Sequence, residues 1–493
     1  MRTVLAVLGT LAAILATGGA RSLRADVFVY RDAQGATVEV EARLVATGRG
    51  FTVLETADGQ YRIIADEAVE KREVKEGPEP LDAGAMVARL QKQFGEDLFR
   101  SYTKDPFVIG LVLASRLPKS SETRAKNFLT KAAGFMKGVE GAFVSFVKEA
   151  RISAQKPTHP LVVLIFESQD DFNTYADSVT GGNGLSASRM AGFYSGLTNF
   201  LAIRMAECRS FDVPLHEAIH QQVYNRRVFE RLAPIPHWFD EGIATGFEAT
   251  EGRISIGPSK ISSRYARQVI AASHLSFREI IADDNIFAGD VLAGEAYGNA
   301  WALHWLLFTK YRIAYGKYLR ILSEKRPLEK ETADQRLADF KQAVGKELGE
   351  IEREFPGVLE AGIKKQNVDL SPDRPPGISF TQQNVGEAEV TGIRRGDQIF
   401  AEGQLTNISP LRPMTFHVTV ETDGGTYADW YVARLDIGGT VPLARKYATK
   451  PMRGVRTTGA AGTFRVRIRS VTPDSDEAAQ WREGNLPVPA VTQ

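Results

Sequence analysis

Apolar and polar positions alternate with period two near both ends of this chain and recur at helical spacing through its middle. Near the start, Val27-Phe28-Val29-Tyr30, Thr37-Val38-Glu39-Val40, Phe51-Thr52-Val53-Leu54 and Tyr61-Arg62-Ile63-Ile64 are short runs rich in β-branched and aromatic residues. Asp32…Gly35 and Asp58-Gly59 separate them, and an Asp-Gly pair between two such runs is a hairpin signal. These runs predict a small all-β unit over residues 26–76, followed by a linker at Gly77-Pro78-Glu79-Pro80.

Beyond the linker the spacing changes. Phe107 to Ala114 and Leu161 to Phe166 are continuous apolar runs with the length of buried strands, the second of them central. Phe128, Leu129, Phe135, Met136, Val139, Phe143 and Val147 mark the apolar face of a helix across 122–148. Asp170 to Ala176 starts another helix, Asn199 to Met205 reads as a strand, and an apolar helix runs from Glu295 to about Tyr311. Strands and helices thus mix over 84–368, as in an α+β domain. Pro372, Pro375 and Pro376 mark a second linker. After it, Thr415 to Val420 and Thr463 to Ile468 alternate between Gly-rich turns, which predicts a helix-free β-sandwich over 378–482. Residues 483–493 read as a disordered tail.

Composition narrows the setting. The chain of 493 residues has a net charge of +1, which argues against a nucleic-acid partner, for which a basic face would be expected. Residues 1–25 read as a secretory signal. Arg2 precedes an apolar run from Val4 to Thr17, and Gly18 and Ala20 suit cleavage after Ala20, with Ala25 a second candidate. That run is shorter than the roughly 20 residues that span a bilayer, so no stable membrane insertion is expected after cleavage. A secreted or periplasmic location follows. Cys208 is the single cysteine, so the exported protein relies on its cores and has no internal disulfide.

Chemistry concentrates at His216-Glu217-Ala218-Ile219-His220. On a helix, residues i and i+4 share a face, so both imidazoles can meet one metal ion, with the Glu217 carboxylate beside it. Asp212 and Pro214 suit the start of that helix. Two imidazoles leave a catalytic Zn²⁺ one protein ligand short. On residues alone, Glu241, His237 and Cys208 are each candidates. The metzincin position for a third His, six residues after the second, is Arg226 here, which removes that class.

Trp238-Phe239-Asp240-Glu241-Gly242-Ile243-Ala244 resembles the W-L-N-E-G-x-A signature of gluzincin-type zinc metallopeptidases, with Asp240 in place of Asn. That resemblance implies a thermolysin-type catalytic domain in which His216, His220 and Glu241 bind Zn²⁺ and Glu217 is the general base. Glu295-Ala296-Tyr297-Gly298-Asn299-Ala300-Trp301 opens the apolar helix where gluzincin aminopeptidases carry an oxyanion-binding Tyr. By the same resemblance Tyr297 is catalytic, and His304, two turns on, is a weaker candidate. Over 105–365 the order of features is similar to the peptidase-MA-like domain of uncharacterised exported bacterial proteins. It includes Gly192-Phe193-Tyr194 and Phe340…Gly345…Leu348. No G-x-M-E-N sequence precedes the motif, which favours an endopeptidase over an aminopeptidase.

Tyr30-Arg31-Asp32, Gly35 and Asp58-Gly59 resemble the SLA-one-homology domain, which implies a compact small β-barrel at the N-terminus. The expected function is an exported zinc peptidase acting on a peptide or protein substrate. The competing expectation is a catalytically silent scaffold whose flanking β domains engage cell-surface or matrix partners. A purely structural zinc site, with His237 or Cys208 as fourth ligand, is the third.

Overall fold

The computed structural model describes residues 26–74, 79–180, 191–209, 212–248, 254, 257–271, 274–287, 293–371, 378–395, 398–422, 424–452 and 464–487. The expected signal sequence and the last residues of the tail lie outside them, as do Gly77 and Pro78 of the first linker and Pro372, Pro375 and Pro376 of the second.

At the N-terminus, β1 (Asp26–Arg31), β2 (Thr37–Gly48), β3 (Phe51–Glu55), β4 (Tyr61–Ala65) and β5 (Val69–Val74) form one antiparallel sheet in the order β4-β3-β2-β1-β5. Alternation puts Phe28, Tyr30, Ala42, Leu54 and Ile64 on its buried side. Bulges between Val29 and Tyr30 and between Leu44 and Ala46 bend the sheet. Among the described residues no pairing joins β4 to β5, so the expected barrel is an open sheet. Its β5 edge, Val-Glu-Lys-Arg-Glu-Val, is exposed and charged, which protects an open edge from pairing with another chain.

The central region starts with α1 (Ala83–Phe94), capped by the Asp82 carboxylate, then β6 (Phe99–Lys104), β7 (Phe107–Val112), α2 (Glu122–Ala150), β8 (Leu161–Phe166) and α3 (Gln169–Thr180). β9 (Gly192–Tyr194) and β10 (Leu201–Arg204) complete a sheet in the order β6-β7-β8-β10-β9. β7, β8 and β10 are parallel, and the antiparallel β6 and β9 form its edges. The parallel strands are buried on both faces, which is why they read as unbroken apolar runs. Met86, Leu90, Phe172 and Tyr175 from α1 and α3 cover one face. On the other, Leu129, Met136 and Phe143 of α2 share a core with α4 (Asp212–Asn225).

Helices α5 (His237–Thr245), α6 (Ser263–Ala271), α7 (Phe277–Ala282), α8 (Ala293–Lys310), α9 (Arg312–Ser323), α10 (Ala333–Val344) and α11 (Leu348–Gln366) follow. α8 buries Ala296, Ala300, Trp301, Leu303, His304, Leu306 and Leu307, so it is apolar nearly all round and forms the axis of this half. α5 lies against it so closely that a Cβ on Gly242 would sit 2.8 Å from the Cβ of His304 and 3.0 Å from the Ala300 carbonyl.

The C-terminal region has two four-stranded antiparallel sheets. One holds β11 (Ile378–Gln383), β12 (Gly386–Arg395), β13 (Gln398–Asn407) and, after β14 (Met414–Thr422) and β15 (Thr426–Leu435), β16 (Thr440–Tyr447). The other orders as β17-β15-β14-β18, where β17 is Lys450–Pro451 and β18 is Phe464–Val471. Ala388, Val390 and Leu405 of the first join Phe416, Val418 and Ile468 of the second in the core. The expectation of a helix-free sandwich fails at α12 (Asp476–Arg482), whose Trp481 packs on His417 with ring centroids 5.9 Å apart. The Ser475 hydroxyl caps this helix by accepting from the Ala478 N–H.

Both β regions are tied to the centre by buried arginine–glutamate pairs. Arg231 meets Glu55 of β3 at 2.7 Å, and Arg412 meets Glu167 at 2.8 Å.

Candidate metal centre

Residues 216 to 220 lie within α4, which carries Pro214 in its first turn, where a missing N–H has no helical partner to lose. The i,i+4 spacing brings His216 Nε2 within 3.2 Å of His220 Nε2. From α5, Glu241 Oε2 approaches His216 Nε2 at 3.0 Å and His220 Nε2 at 3.7 Å. Three donors held about 2.0–2.1 Å from one tetrahedral ion are separated by about 3.3 Å, so these spacings suit a common centre. His216, His220 and Glu241 form a group able to hold a metal ion.

The outer nitrogens strengthen the fit. His216 Nδ1 lies 2.9 Å from Glu248 Oε1, and His220 Nδ1 lies 3.3 Å from Asp240 Oδ1. With a metal bound, carboxylates at Nδ1 would favour the proton there and leave each Nε2 lone pair for the ion, as metal-bound imidazoles require. Both carboxylates are held in turn. The Tyr265 hydroxyl of α6 donates to Glu248, 2.8 Å from one oxygen and 2.9 Å from the other, and the Tyr224 hydroxyl donates to Asp240 Oδ2 at 2.8 Å.

Glu217 is on the same helix, and its Oε2 accepts the Tyr194 N–H of β9 at 2.8 Å. Burial pushes its pKa up, the two imidazoles pull it down, and the neighbouring Glu241 adds to the rise. Burial alone would lower His216, but bonds to Glu241 and Glu248 raise it to about 10. In His220, too, burial is outweighed, here by Asp240 and Glu241, and the ring is held well above its usual range. Burial would raise Glu241, yet both imidazoles hold it well below the carboxylate range. Glu217, Asp240, Glu241 and Glu248 thus surround two imidazoles, a balance that a divalent cation would offset.

Tyr297, the fifth residue of α8, faces this group. Its ring centroid is 6.4 Å from that of His216, and Phe287 packs against it edge-on at 5.7 Å. The Glu241 charge, then burial, push its hydroxyl above its ordinary pKa, so it stays protonated as a donor.

The remaining candidates lie elsewhere. His304 is fully buried beneath α5, bonded to the Tyr315 hydroxyl at 2.9 Å, and burial lowers its pKa to about 3. His237 is exposed at the N-terminus of α5, where its N–H bonds Asp284 Oδ1 at 2.9 Å. Cys208 is buried in the core beside α4, with its thiol pushed up by burial. Among the described residues neither His237 nor Cys208 joins the metal-binding group, against the expectation of a four-ligand structural site. Arg226, where metzincins place a His, instead bonds Gln222 Oε1 at 2.7 Å and pairs with Glu140 of α2.

Sequence reasoning missed Glu248, Tyr265, Tyr194 and Tyr224. Only Tyr224 carries a local signal: it continues the His216–His220 stripe by another four residues on α4. No curated protein matches the chain. Residues 213–329, from the start of α4 to beyond α9, match the family described as "Protein of unknown function (DUF1570)", so the match takes in His216, Glu217, His220, Glu241 and Tyr297.

Proposed function

We propose that this chain is an exported zinc-dependent peptidase of the gluzincin type, with a thermolysin-like central domain. The observation that most supports this is the convergence of His216 Nε2, His220 Nε2 and Glu241 Oε2 with the Glu217 carboxylate next to them. A mixed nitrogen and oxygen donor set of this kind suits Zn²⁺, which supplies Lewis acidity that polarises a carbonyl and acidifies water. His216, His220 and Glu241 would hold it.

Glu217 then acts as the base. The Tyr194 N–H fixes one carboxylate oxygen, which leaves the other to take the proton of the attacking water. Its raised pKa suits it to keep that proton and pass it to the leaving amine. The Tyr297 hydroxyl donates to the carbonyl oxygen as negative charge develops there. Glu248 and Asp240 orient the two imidazoles throughout. The substrate is a peptide or protein cleaved internally, and the flanking β regions are candidate docking surfaces for cell-surface or matrix partners.

The test is to measure zinc content and cleavage of a peptide library for the parent and for Glu217→Gln, with and without chelator. The variant should keep its zinc and lose nearly all turnover. Equal turnover in both proteins, or chelator-insensitive cleavage, would overturn the assignment.

A further inference from the structure

The N-terminal sheet touches the central domain where the metal-binding helices are connected. Arg231 lies in the segment between α4 and α5. Its guanidinium is 2.7 Å from Glu55 of β3, donates to the Gly59 carbonyl at 2.9 Å and stacks 3.5 Å over the Tyr61 ring. Both members of the ion pair are buried, and Arg43 and His159 also face Glu55, Arg43 Nε at 3.0 Å and His159 Nε2 at 3.6 Å. The Asp58-Gly59 hairpin tip is thereby locked into the centre. A Cβ at Gly59, whose φ is +77°, would lie 2.8 Å from the His159 ring.

Two routes lead from this contact to the metal centre. In the first, the Tyr61 N–H donates to the Leu197 carbonyl at 2.7 Å and Arg231 donates to the Gly196 carbonyl at 3.2 Å. Those carbonyls belong to the turn between β9 and β10, and β9 carries the Tyr194 N–H that holds Glu217. In the second, Asn199 at the end of that turn exchanges side-chain bonds with Asn225 at 2.7 and 2.8 Å and accepts the Tyr194 hydroxyl at 2.7 Å. The Tyr194 ring stacks on Tyr224, with centroids 5.8 Å apart and planes 13° from parallel. Tyr224 bonds Asp240, which faces His220. A cavity of about 30 Å³ at the junction is lined by residues of both regions, including Glu55, Tyr61, His159, Tyr224, Asn225 and Arg231.

We propose that the N-terminal sheet is an integral part of the metal centre, with Arg231 and Tyr224 as positioning residues that fix Glu217 and His220 through the β9–β10 turn and the stacked Tyr194–Tyr224 pair. This rests on the zinc reading above and assigns the sheet a role inside the centre in addition to any docking. The opposite end of the molecule supplies the control. Arg412 anchors the C-terminal sheets through Glu167 and Ser115, and neither residue lies on α4 or α5 or bonds a carboxylate that faces the two imidazoles.

The experiment is zinc affinity by competition with a chromophoric chelator, on the full chain and on Tyr224→Phe, Arg231→Met and Arg412→Met, each with a thermal unfolding curve. Removing a direct partner of a metal ligand weakens binding by about 10- to 100-fold, and Tyr224 stands one bond further out, behind Asp240, so Tyr224→Phe should lose somewhat less, about three- to tenfold. Arg231→Met should shift zinc affinity in the same direction by less, and both should lower kcat more than they raise KM. Arg412→Met should unfold at lower temperature with zinc affinity unchanged. Tyr224→Phe removes one hydroxyl and keeps the ring stack, so it tests the last link to Asp240, and Glu55→Gln, which leaves Arg231 in place, tests the sheet's part if Arg231→Met does not fold. Parental affinity in Tyr224→Phe, or an equal loss in Arg412→Met, would overturn the proposal and leave the peptidase reading intact. A parent chain that binds no zinc would remove both.

Discussion

Tyr297 shows how one side chain acquires a chemical role from its neighbours. Glu241, Glu217, Glu248 and Asp240 all raise its hydroxyl pKa, so the proton is available for donation across the physiological range. Tyr297→Phe should therefore bind zinc normally while kcat falls by about 10²-fold, the effect of removing one oxyanion donor. Steady-state kinetics on a cleaved peptide would check this, and an unchanged kcat would return Tyr297 to packing against Phe287. At this scale the sequence was most legible where spacing alone sets geometry. His216 and His220 are four residues apart on a helix, so their rings had to share a face. Glu248 was illegible because the loop beyond α5, with no fixed period, delivers it to His216.

Among the elements, α5 and α8 are the pair on which the third ligand depends. Gly242 follows Glu241 directly and lies under His304 and the Ala300 carbonyl with no room for a methyl group. Gly242→Ala should force the helices apart, destabilise the fold by about 1–3 kcal/mol and displace Glu241 enough to weaken zinc binding. Thermal unfolding with and without zinc would reveal it. A stability and affinity equal to the parent's would show that the helices adjust without moving the ligand. The Gly in the W-F-D-E-G-I-A segment was visible in sequence, but its packing reason was not, because His304 lies 62 positions further along the chain. His304 itself illustrates the limit of periodicity. A His on an apolar helix is more often a core residue than a ligand, and its bond to Tyr315 inside the core decides for the former.

For the whole molecule, the contact between the N-terminal sheet and the centre imposes a pH dependence. Burial raises the Glu55 carboxyl, but His159, Arg43 and Arg231 together hold it down at about 2, below its ordinary 4.5. A depressed carboxyl pKa stabilises the folded state fully above the unfolded value, and the contribution disappears as pH falls through the folded value. Unfolding free energy should thus decline between pH 4.5 and about 2, with Glu55 accounting for up to roughly 3 kcal/mol. Glu55→Gln should be less stable at neutral pH and show a flatter acid limb in denaturant titrations. Equal acid limbs in the two proteins would mean that Glu55 does not sense the docked state.

Taken alone, the sequence determined four of the five strands of the N-terminal unit, the long helix expected over 122–148, the central strand at 161–166 and the two-histidine face of α4. Each of these is a short-range consequence of period two or of the helical repeat, readable wherever one face is buried. Closure of the first sheet was not of this kind, and the implied barrel proved open because no bond pairs β4 with β5 among the described residues. The carboxylates behind both imidazoles and the Glu55–Arg231 clamp, whose partners are 176 positions apart, were likewise decided only in three dimensions. Such contacts are selected by the packing of whole elements on one another, and no local spacing in the chain encodes where those elements meet.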